Sequence, residues 1–211
     1  MKNDINLWSS AEHALGYLKR ADSIPHRTEG EAELLTLLPD PLYRVLDLGT
    51  GDGRLLQLVK LARPGAESVA MDFSPAMLAK VRERFADDPT VTVIPHDLDQ
   101  PLPELGSFDA VVSSFAIHHV SDPRKLDLYR EVYSYLRPGG VFCNLEHVSS
   151  PSEMLHREFL AILGVSPQDD DPSNKLLDLQ TQLKWLEELG FQHVDCFWKW
   201  RELALIAGRK P

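Results

Sequence analysis

The chain has 211 residues, of which 43% are hydrophobic and 26% charged, and its formal net charge is −10 at pH 7. This length suits one globular domain with a sizeable core. The acidic balance argues against a broad electrostatic grip on DNA or RNA, which needs Lys and Arg to displace phosphate counterions. The amino-terminal residues lack the apolar core of a signal peptide, and no apolar run approaches membrane-spanning length. Cys143 and Cys196 lack metal-ligand spacing, so we expect buried thiols in a reducing, cytoplasmic compartment.

Two helices are predicted ahead of the first strand. They span residues 11–21 and 30–38 and are joined across residues 24–27. Pro39 and Pro41 end the second helix, because the residue before a proline is biased away from helical geometry.

The segment 45–54, with the sequence VLDLGTGDGR, is the most informative part of the chain. Its apolar start is typical of a buried parallel strand, and three alternating glycines then permit a tight turn against which a ligand can lie. Leucines at helical spacing follow, so the turn opens a helix. Asp47 and Asp52 flank the turn, where two carboxylates would repel a diphosphate and attract a cation. A nucleoside with a sulfonium and an ammonium, such as S-adenosylmethionine (SAM), fits this charge.

The markers that follow are consistent with a nucleotide-binding α/β sheet. A second strand at 68–71 ends at Asp72, about 20 residues beyond the glycine turn, where an acidic side chain binds ribose hydroxyls in such folds. Further strands are predicted at 91–94, at 108–114 and after a turn at 136–142. The alternation of strands and helices predicts a parallel sheet with right-handed crossovers.

The carboxyl-terminal third follows a different pattern. Residues 149–177 contain three prolines and an acidic run at 169–171, which we interpret as a helical insertion after the fifth strand. A helix over residues 181–188 comes next. The strands at 191–198 and 203–208 are separated by only a few residues, so they pair antiparallel.

Taken together, these features resemble class I SAM-dependent methyltransferases, most densely over residues 40–148. The resemblance implies an α/β fold with a Rossmann-like, doubly wound, seven-stranded sheet that is mostly parallel with one antiparallel strand. It also implies a single domain over 1–211. We divide it into a helical amino-terminal flap (1–40), a SAM-binding core (41–148), a helical lid (149–180) and a carboxyl-terminal helix with a strand pair (181–211).

The resemblance also implies SAM as the cofactor and a set of residues that bind it. In this set Asp72 holds the ribose while Ser74 caps the next helix, and Asp97 with Leu98 faces the adenine edge. Arg27 is predicted to bind the SAM carboxylate, with a solvated arginine as the alternative. The predicted cofactor residues are Arg27, Asp47, Gly49, Thr50, Gly51, Asp72, Phe73, Met77, Asp97, Leu98 and Ser114. For Asp47 and for Asp72 the alternative is a helix cap, and for Phe73 and Met77 it is a place in the core.

Catalytic residues are expected after the fourth and fifth strands. Methyl transfer from a sulfonium needs alignment of the acceptor, and it needs a base only if the acceptor arrives protonated. His119 and His147 are the candidate bases. A resemblance to phosphoethanolamine-type methyltransferases pairs His119 with a tyrosine of the amino-terminal helix, here Tyr17. The alternative for His118 or His119 is plain packing beneath the next helix.

A metal site is not expected at these positions. His118, His119, Glu146 and His147 have suitable ligand chemistry, but adjacent histidines at a strand–helix junction point in different directions.

Three hypotheses of function follow from the sequence. The first is a methyltransferase acting on O, N or S of a small molecule. The second is an enzyme that uses SAM without donating its methyl group, because residues 191–210 resemble the carboxy-SAM synthase group. The third is a non-catalytic SAM-binding module. We expect a small-molecule partner, no nucleic acid and no membrane. We interpret Phe197, Trp198 and Trp200 as bracing the edge of the sheet, with a homodimer contact through Trp198 or Trp200 as the alternative.

Overall fold

The structure is a computed structural model that describes residues 24–211. The predicted helix at 11–21, and with it Tyr17, lies outside the described residues. In chain order the elements are α1 (Arg27–Leu37), β1 (Arg44–Leu48), α2 (Arg54–Ala62), β2 (Glu67–Asp72), α3 (Pro75–Arg84), β3 (Val91–Pro95), β4 (Phe108–Ser114), a 3-10 turn (Ile117–His119), α4 (Asp122–Tyr135), β5 (Leu136–His147), α5 (Glu153–Leu163), α6 (Leu179–Glu188), β6 (Gln192–Trp200) and β7 (Leu203–Arg209).

Residues 24–211 form one seven-stranded sheet in the order β3-β2-β1-β4-β5-β7-β6. Strand β7 runs antiparallel to both of its neighbours, and the pairs among β1 to β5 are parallel. This confirms the predicted fold. The strand order reverses between β1 and β4, because β1 pairs with β2 on one side and with β4 on the other. At such a switch point the carboxyl ends of the strands open a crevice in which ligands bind.

Alternate residues of β1 bury their side chains on opposite faces of the sheet. Val45 packs in a cluster with residues of α1 and α2, whereas Leu46 and Leu48 pack with residues of α4 and α6. All three are fully buried. Two cores therefore clamp β1, and the turn that follows it starts from a rigid strand.

The insertion after β5 is less helical than expected. Helix α5 covers Glu153–Leu163, and residues 164–178 form turns and extended chain. Prolines and an acidic run in that stretch remove amide donors and add like charge, which disfavours a helix. None of the helices that the structure describes has the length and apolar character needed to cross a bilayer.

Candidate functional site

The glycine turn after β1 is built from backbone conformations that favour glycine. Gly49, Gly51 and Gly53 have φ angles of 64°, 58° and 84°. A Cβ on Gly49 would lie 2.2 Å from the Cβ of Ala116, whereas a Cβ on Gly51 would meet no atom of the described residues within 4 Å. Gly49 therefore lets the turn pack against the segment after β4, and Gly51 borders the open crevice.

Asp47 is a buried carboxyl at the base of this turn. Its Oδ2 accepts a 2.6 Å hydrogen bond from the Thr50 hydroxyl, and its Oδ1 has no hydrogen-bond partner within residues 24–211. Burial raises the pKa of Asp47 to about 7, and the nearby charges of Asp72 and Asp52 add to the rise. Gly53 holds the N-cap position of α2, so the helix-cap alternative for Asp47 is wrong.

Asp72 ties the end of β2 to the glycine turn. Its Oδ2 accepts from the Gly51 N–H at 2.9 Å, and its Oδ1 accepts from the Ser74 N–H at 2.8 Å. Ser74 holds the N-cap position of α3 but makes no side-chain cap, so the prediction that Ser74 caps the helix and leaves Asp72 free is wrong. A carboxylate has about four lone-pair sites, so Asp72 can still accept a ribose hydroxyl beside these bonds.

Asp52 does not supply the negative charge that its position suggested. Arg84 of α3 donates from Nη2 to Asp52 Oδ2 at 2.6 Å and from Nε to the Asp52 carbonyl at 2.9 Å. The charge of Asp52 is therefore paired with Arg84. The acidity of the turn toward a ligand comes from Asp47 and Asp72.

The remaining predicted nucleoside contacts lie at the same edge of the sheet. Asp97 follows β3, and its Oδ1 accepts from the Asp99 N–H at 3.0 Å. Leu98 is buried and approaches to 3.7 Å from the position that a Cβ on Gly49 would take. Met77 is buried and Phe73 is partly buried. At the end of β4, Ser114 Oγ is buried and has no hydrogen-bond partner in the described part of the chain.

Arg27 is buried, so the solvated alternative for this residue is wrong. Its Nε donates to Glu31 Oε1 at 2.8 Å, and its guanidinium carbon lies 5.4 Å from the centre of the Phe115 ring. Arg54 donates to both oxygens of Glu31, from Nε at 2.8 Å and from Nη2 at 2.9 Å. Sequence reasoning missed Glu31 and Arg54. The spacing of Arg27 and Glu31, one helical turn apart, was a signal for the first contact.

His118 and Glu146 form a buried pair at the ends of β4 and β5. His118 Nδ1 lies 2.6 Å from Glu146 Oε1, and Glu146 also accepts from the His147 N–H at 2.8 Å. Burial raises the pKa of Glu146 to about 7 and lowers the pKa of His118. Low polarity thus favours the neutral form of both groups.

The two predicted bases lie close to this pair and contact other elements. His119 Nδ1 is 3.0 Å from Ser173 Oγ in the insertion, and burial together with His118 lowers the pKa of His119 to about 3. His119 is therefore a neutral imidazole at pH 7, and its pKa lies below the range that suits a general base near neutrality. His147 Nε2 is 2.9 Å from Glu202 Oε2, and Glu202 also binds His156 of α5.

Within residues 24–211, no three side chains of His, Cys, Asp or Glu are arranged to hold a metal ion. His118 and His147 each bond to a different glutamate, and the centres of their rings lie 5.6 Å apart at an interplanar angle of 70°. Cys143 is buried and Cys196 partly so, as free thiols.

The Glu146 network yields a stability prediction. Glu146→Leu removes the acceptor for the His147 N–H and the partner of His118, so we expect a loss of about 2–4 kcal/mol in the free energy of unfolding. Glu146→Gln keeps an acceptor oxygen and adds a donor, and should stay within about 1 kcal/mol of wild type. Urea denaturation at pH 7 measures both values. Equal losses in the two variants would contradict the proposed hydrogen-bonding role.

Comparison with known proteins finds methyltransferases among the relatives of this chain. A family model described as a methyltransferase domain matches residues 45–140, which run from β1 into β5. The demethylmenaquinone methyltransferase of Clavibacter sepedonicus is 34% identical over 169 residues, which are 72% of this chain and 66% of that protein. The carboxy-S-adenosyl-L-methionine synthase of Helicobacter pylori is 25% identical over 82% of this chain and 76% of its own length.

A solved structure agrees on the fold. Human N-acetylserotonin methyltransferase in complex with SAM superposes with a TM-score of 0.69 at 18% identity, over 97% of this chain and 57% of that one. Residues 45–140 thus match a methyltransferase domain, and the sheet has the fold of class I SAM-dependent methyltransferases. The chain spans just under two thirds of the length of the Clavibacter relative.

Proposed function

We propose that this protein binds SAM and transfers its methyl group to O, N or S of a small-molecule acceptor. The carrying observation is the glycine turn at the switch point, where Gly51 borders open space and Asp47 keeps a buried oxygen without a partner among residues 24–211. A buried carboxyl in that state suits a cationic ligand. Asp72 and Asp97, at the ends of the next two strands, suit the ribose and the adenine.

Calorimetry on folded, ligand-free protein tests the binding half of this proposal. We expect heat with both SAM and its demethylated product, S-adenosylhomocysteine, because the nucleoside and amino-acid contacts are common to both. A panel of metabolites screened for S-adenosylhomocysteine release then identifies the acceptor class. If neither SAM nor S-adenosylhomocysteine binds, the proposed function is contradicted.

The role of His119 as a base has its own prediction. Because a pKa of about 3 makes His119 a weak base in the ligand-free protein, His119→Phe should lower kcat with a protonated acceptor by less than the roughly hundredfold usual for a positioned general base. Tyr17→Phe should lower kcat in the same assay if the two form a dyad, and His147→Gln tests the second candidate base. Full turnover in His119→Phe, with a wild-type melting temperature, would exclude His119 as the base.

A second candidate function is favoured by the similarity to carboxy-S-adenosyl-L-methionine synthase, which extends over 82% of this chain. In that case the bound nucleoside would be carboxylated instead of losing its methyl group. Mass spectrometry of the ligand released from freshly purified protein separates the two cases. No product across all acceptor classes, together with intact SAM binding, would leave a non-catalytic SAM-binding module.

The proposed partner is a small molecule enclosed by the insertion after β5. Ser173 of that insertion contacts His119, and His156 shares the carboxylate of Glu202 with His147. We propose no nucleic-acid or membrane partner. For a homodimer, the edge strand β6 is the proposed contact, where Phe197 is 39% exposed. Sedimentation of the purified protein tests that contact.

A further inference from the structure

His156 of α5 bridges two carboxylates from different parts of the chain. Its Nδ1 lies 3.1 and 3.2 Å from the two oxygens of Glu202, in the turn between β6 and β7, and its Nε2 lies 3.4 Å from Asp170 Oδ2 in the insertion. An ionised carboxylate only accepts, and a neutral imidazole has one N–H to donate where an imidazolium has two. Both contacts are therefore satisfied together only when His156 carries a proton on each ring nitrogen.

The charges of the two carboxylates favour that protonated form. Glu202 is 1% exposed, and it also accepts from the Ser150 hydroxyl and lies 2.9 Å from His147 Nε2. Burial acts to raise the pKa of Glu202, but these hydrogen bonds and that of His156 lower it overall, so Glu202 is ionised near neutrality. Burial alone would lower the pKa of His156, and the contacts with Glu202 and Asp170 outweigh it and raise that pKa above its ordinary value of 6.5.

Neighbouring charged groups have partners of their own. His147, at the end of β5, contacts the second oxygen of Glu202. Further ion pairs of α5 are Glu153 with Arg157 at 2.9 Å and Glu158 with Arg201 of the β6–β7 turn at 3.9 Å. The protonation of His156 is therefore controlled by the carboxylates of Glu202 and Asp170.

Asp170 begins a turn that reaches the histidines after β4. Its Oδ1 accepts from the N–H of the next residue at 2.9 Å. Within the same turn, Ser173 Oγ lies 3.0 Å from His119 Nδ1, and the Lys175 N–H donates to the His118 carbonyl at 2.8 Å. A contact that holds Asp170 therefore also holds the turn at 170–175 against the carboxyl end of β4.

We propose that protonated His156 is a latch that holds the turn at 170–175 closed over the carboxyl edge of the sheet, and that loss of the proton opens the turn. The latch is fully closed below pH 6.5, the ordinary pKa of a histidine, and it opens as pH rises through the raised pKa of His156. Opening uncovers His118 and His119 and admits a small acceptor to the candidate site. That consequence rests on the proposed function, whereas the latch itself does not.

Hydrogen exchange of the ligand-free protein tests the latch, followed by mass spectrometry over peptides that contain residues 170–175. After correction for the intrinsic exchange rate, protection of this turn in wild type should be about fivefold or more greater at pH 6 than at pH 8.5. His156→Gln has no titratable group and can donate to only one of the two carboxylates at a time. It should therefore show the lower protection at both pH values.

A matched pair of aspartate variants separates the latch from a general effect of charge. Asp170→Asn keeps an acceptor for the next N–H but removes the charge that faces His156, so it should lose most of the pH dependence. Asp169→Asn is the control. Asp169 is the exposed neighbour in the same acidic run, its Oδ2 accepts from Ser166 Oγ at 2.7 Å, and its variant should keep the wild-type pH dependence.

Equal protection of wild type at the two pH values overturns the latch, and so does an unchanged pH dependence in Asp170→Asn. Should His156→Gln not fold, NMR titration of His156 in wild type and in Asp170→Asn decides the question. The pKa of His156 should be lower in the variant, and equal pKa values overturn the inference. If the turn behaves as expected in protein that binds neither SAM nor S-adenosylhomocysteine, the latch stands while the proposed function fails.

Discussion

SAM should bind about tenfold more tightly at pH 7.5 than at pH 6, with close to one proton released per molecule bound at the lower pH. The reason is the raised pKa of Asp47, about 7, in the ligand-free protein. Below pH 7 the carboxyl is mostly protonated, and a cation can pair with it only after the proton has left. Affinity therefore rises through pH 7 and levels off above it.

Calorimetry in buffers of different ionisation enthalpy measures both the affinity and the proton release. Asp47→Asn should bind SAM weakly and with no pH dependence from this group. Asp40→Asn, at an exposed residue ahead of β1, is the matched control and should keep the wild-type profile. Tight, pH-independent binding by wild type would show that Asp47 does not pair with the ligand.

The same pKa has a consequence for stability. Folded Asp47 keeps a proton that the unfolded chain releases above about pH 3.8, so its contribution to stability falls as pH rises from about 4 to 7. At pH 8 the ligand-free protein therefore carries a buried charge at a cost. Asp47→Asn should raise the melting temperature there by about 2–4 °C for each kcal/mol relieved. A lower melting temperature for Asp47→Asn at pH 8 would contradict the raised pKa.

Gly49→Ala should mainly lower the stability of the fold, whereas Gly51→Ala should mainly lower the affinity for SAM. Gly49→Ala places a methyl 2.2 Å from the Cβ of Ala116 at a φ of 64°, so we expect a loss of about 3–5 kcal/mol in unfolding free energy. Gly51→Ala has a similar φ of 58° but meets no atom of the described chain within 4 Å, so backbone strain costs only about 1–2 kcal/mol. Its methyl enters the crevice, and SAM affinity should fall by about a hundredfold.

Urea denaturation and calorimetry with S-adenosylhomocysteine separate these effects. Gly65→Ala is the control, because Gly65 is exposed and has no positive φ. A Cβ on Gly65 would meet no atom of residues 24–211 within 4 Å. Wild-type affinity in folded Gly51→Ala would place the ligand away from the turn.

Features that depend on neighbours in the chain were predictable. The strand and glycine turn at 45–54, the helix after it and the antiparallel pair at the carboxyl terminus each carry a local pattern of apolar spacing or turn residues. Because parallel strands end at one edge, their order along the chain also brings Asp47, Asp72 and Asp97 together. Local pattern and sheet topology together thus account for the fold and for most of the predicted cofactor edge.

Contacts between distant residues were not predictable. The sequence predicts that Asp52 is an unpaired acid in the turn, whereas in the structure Arg84, 32 residues later, pairs with it. The sequence likewise predicts that Asp72 has no hydrogen-bond partner in the protein, whereas in the structure the Gly51 N–H, 21 residues earlier, donates to it. Hydrogen bonds and ion pairs form over about 3 Å, and one sequence cannot say which side chains approach that closely.

Chain order and residue chemistry alone therefore identify the class of fold, the glycine turn and the cationic ligand that suits it. The packing of the folded chain determines which titratable side chains are protonated and which partners they contact. Burial holds the pKa of Asp47 near 7 and lowers that of His119 to about 3, and Glu31 reaches both Arg27 and Arg54 only in the folded chain. Desolvation and the pairing of charges depend on the whole surroundings of a group, and these exist only once the domain has folded.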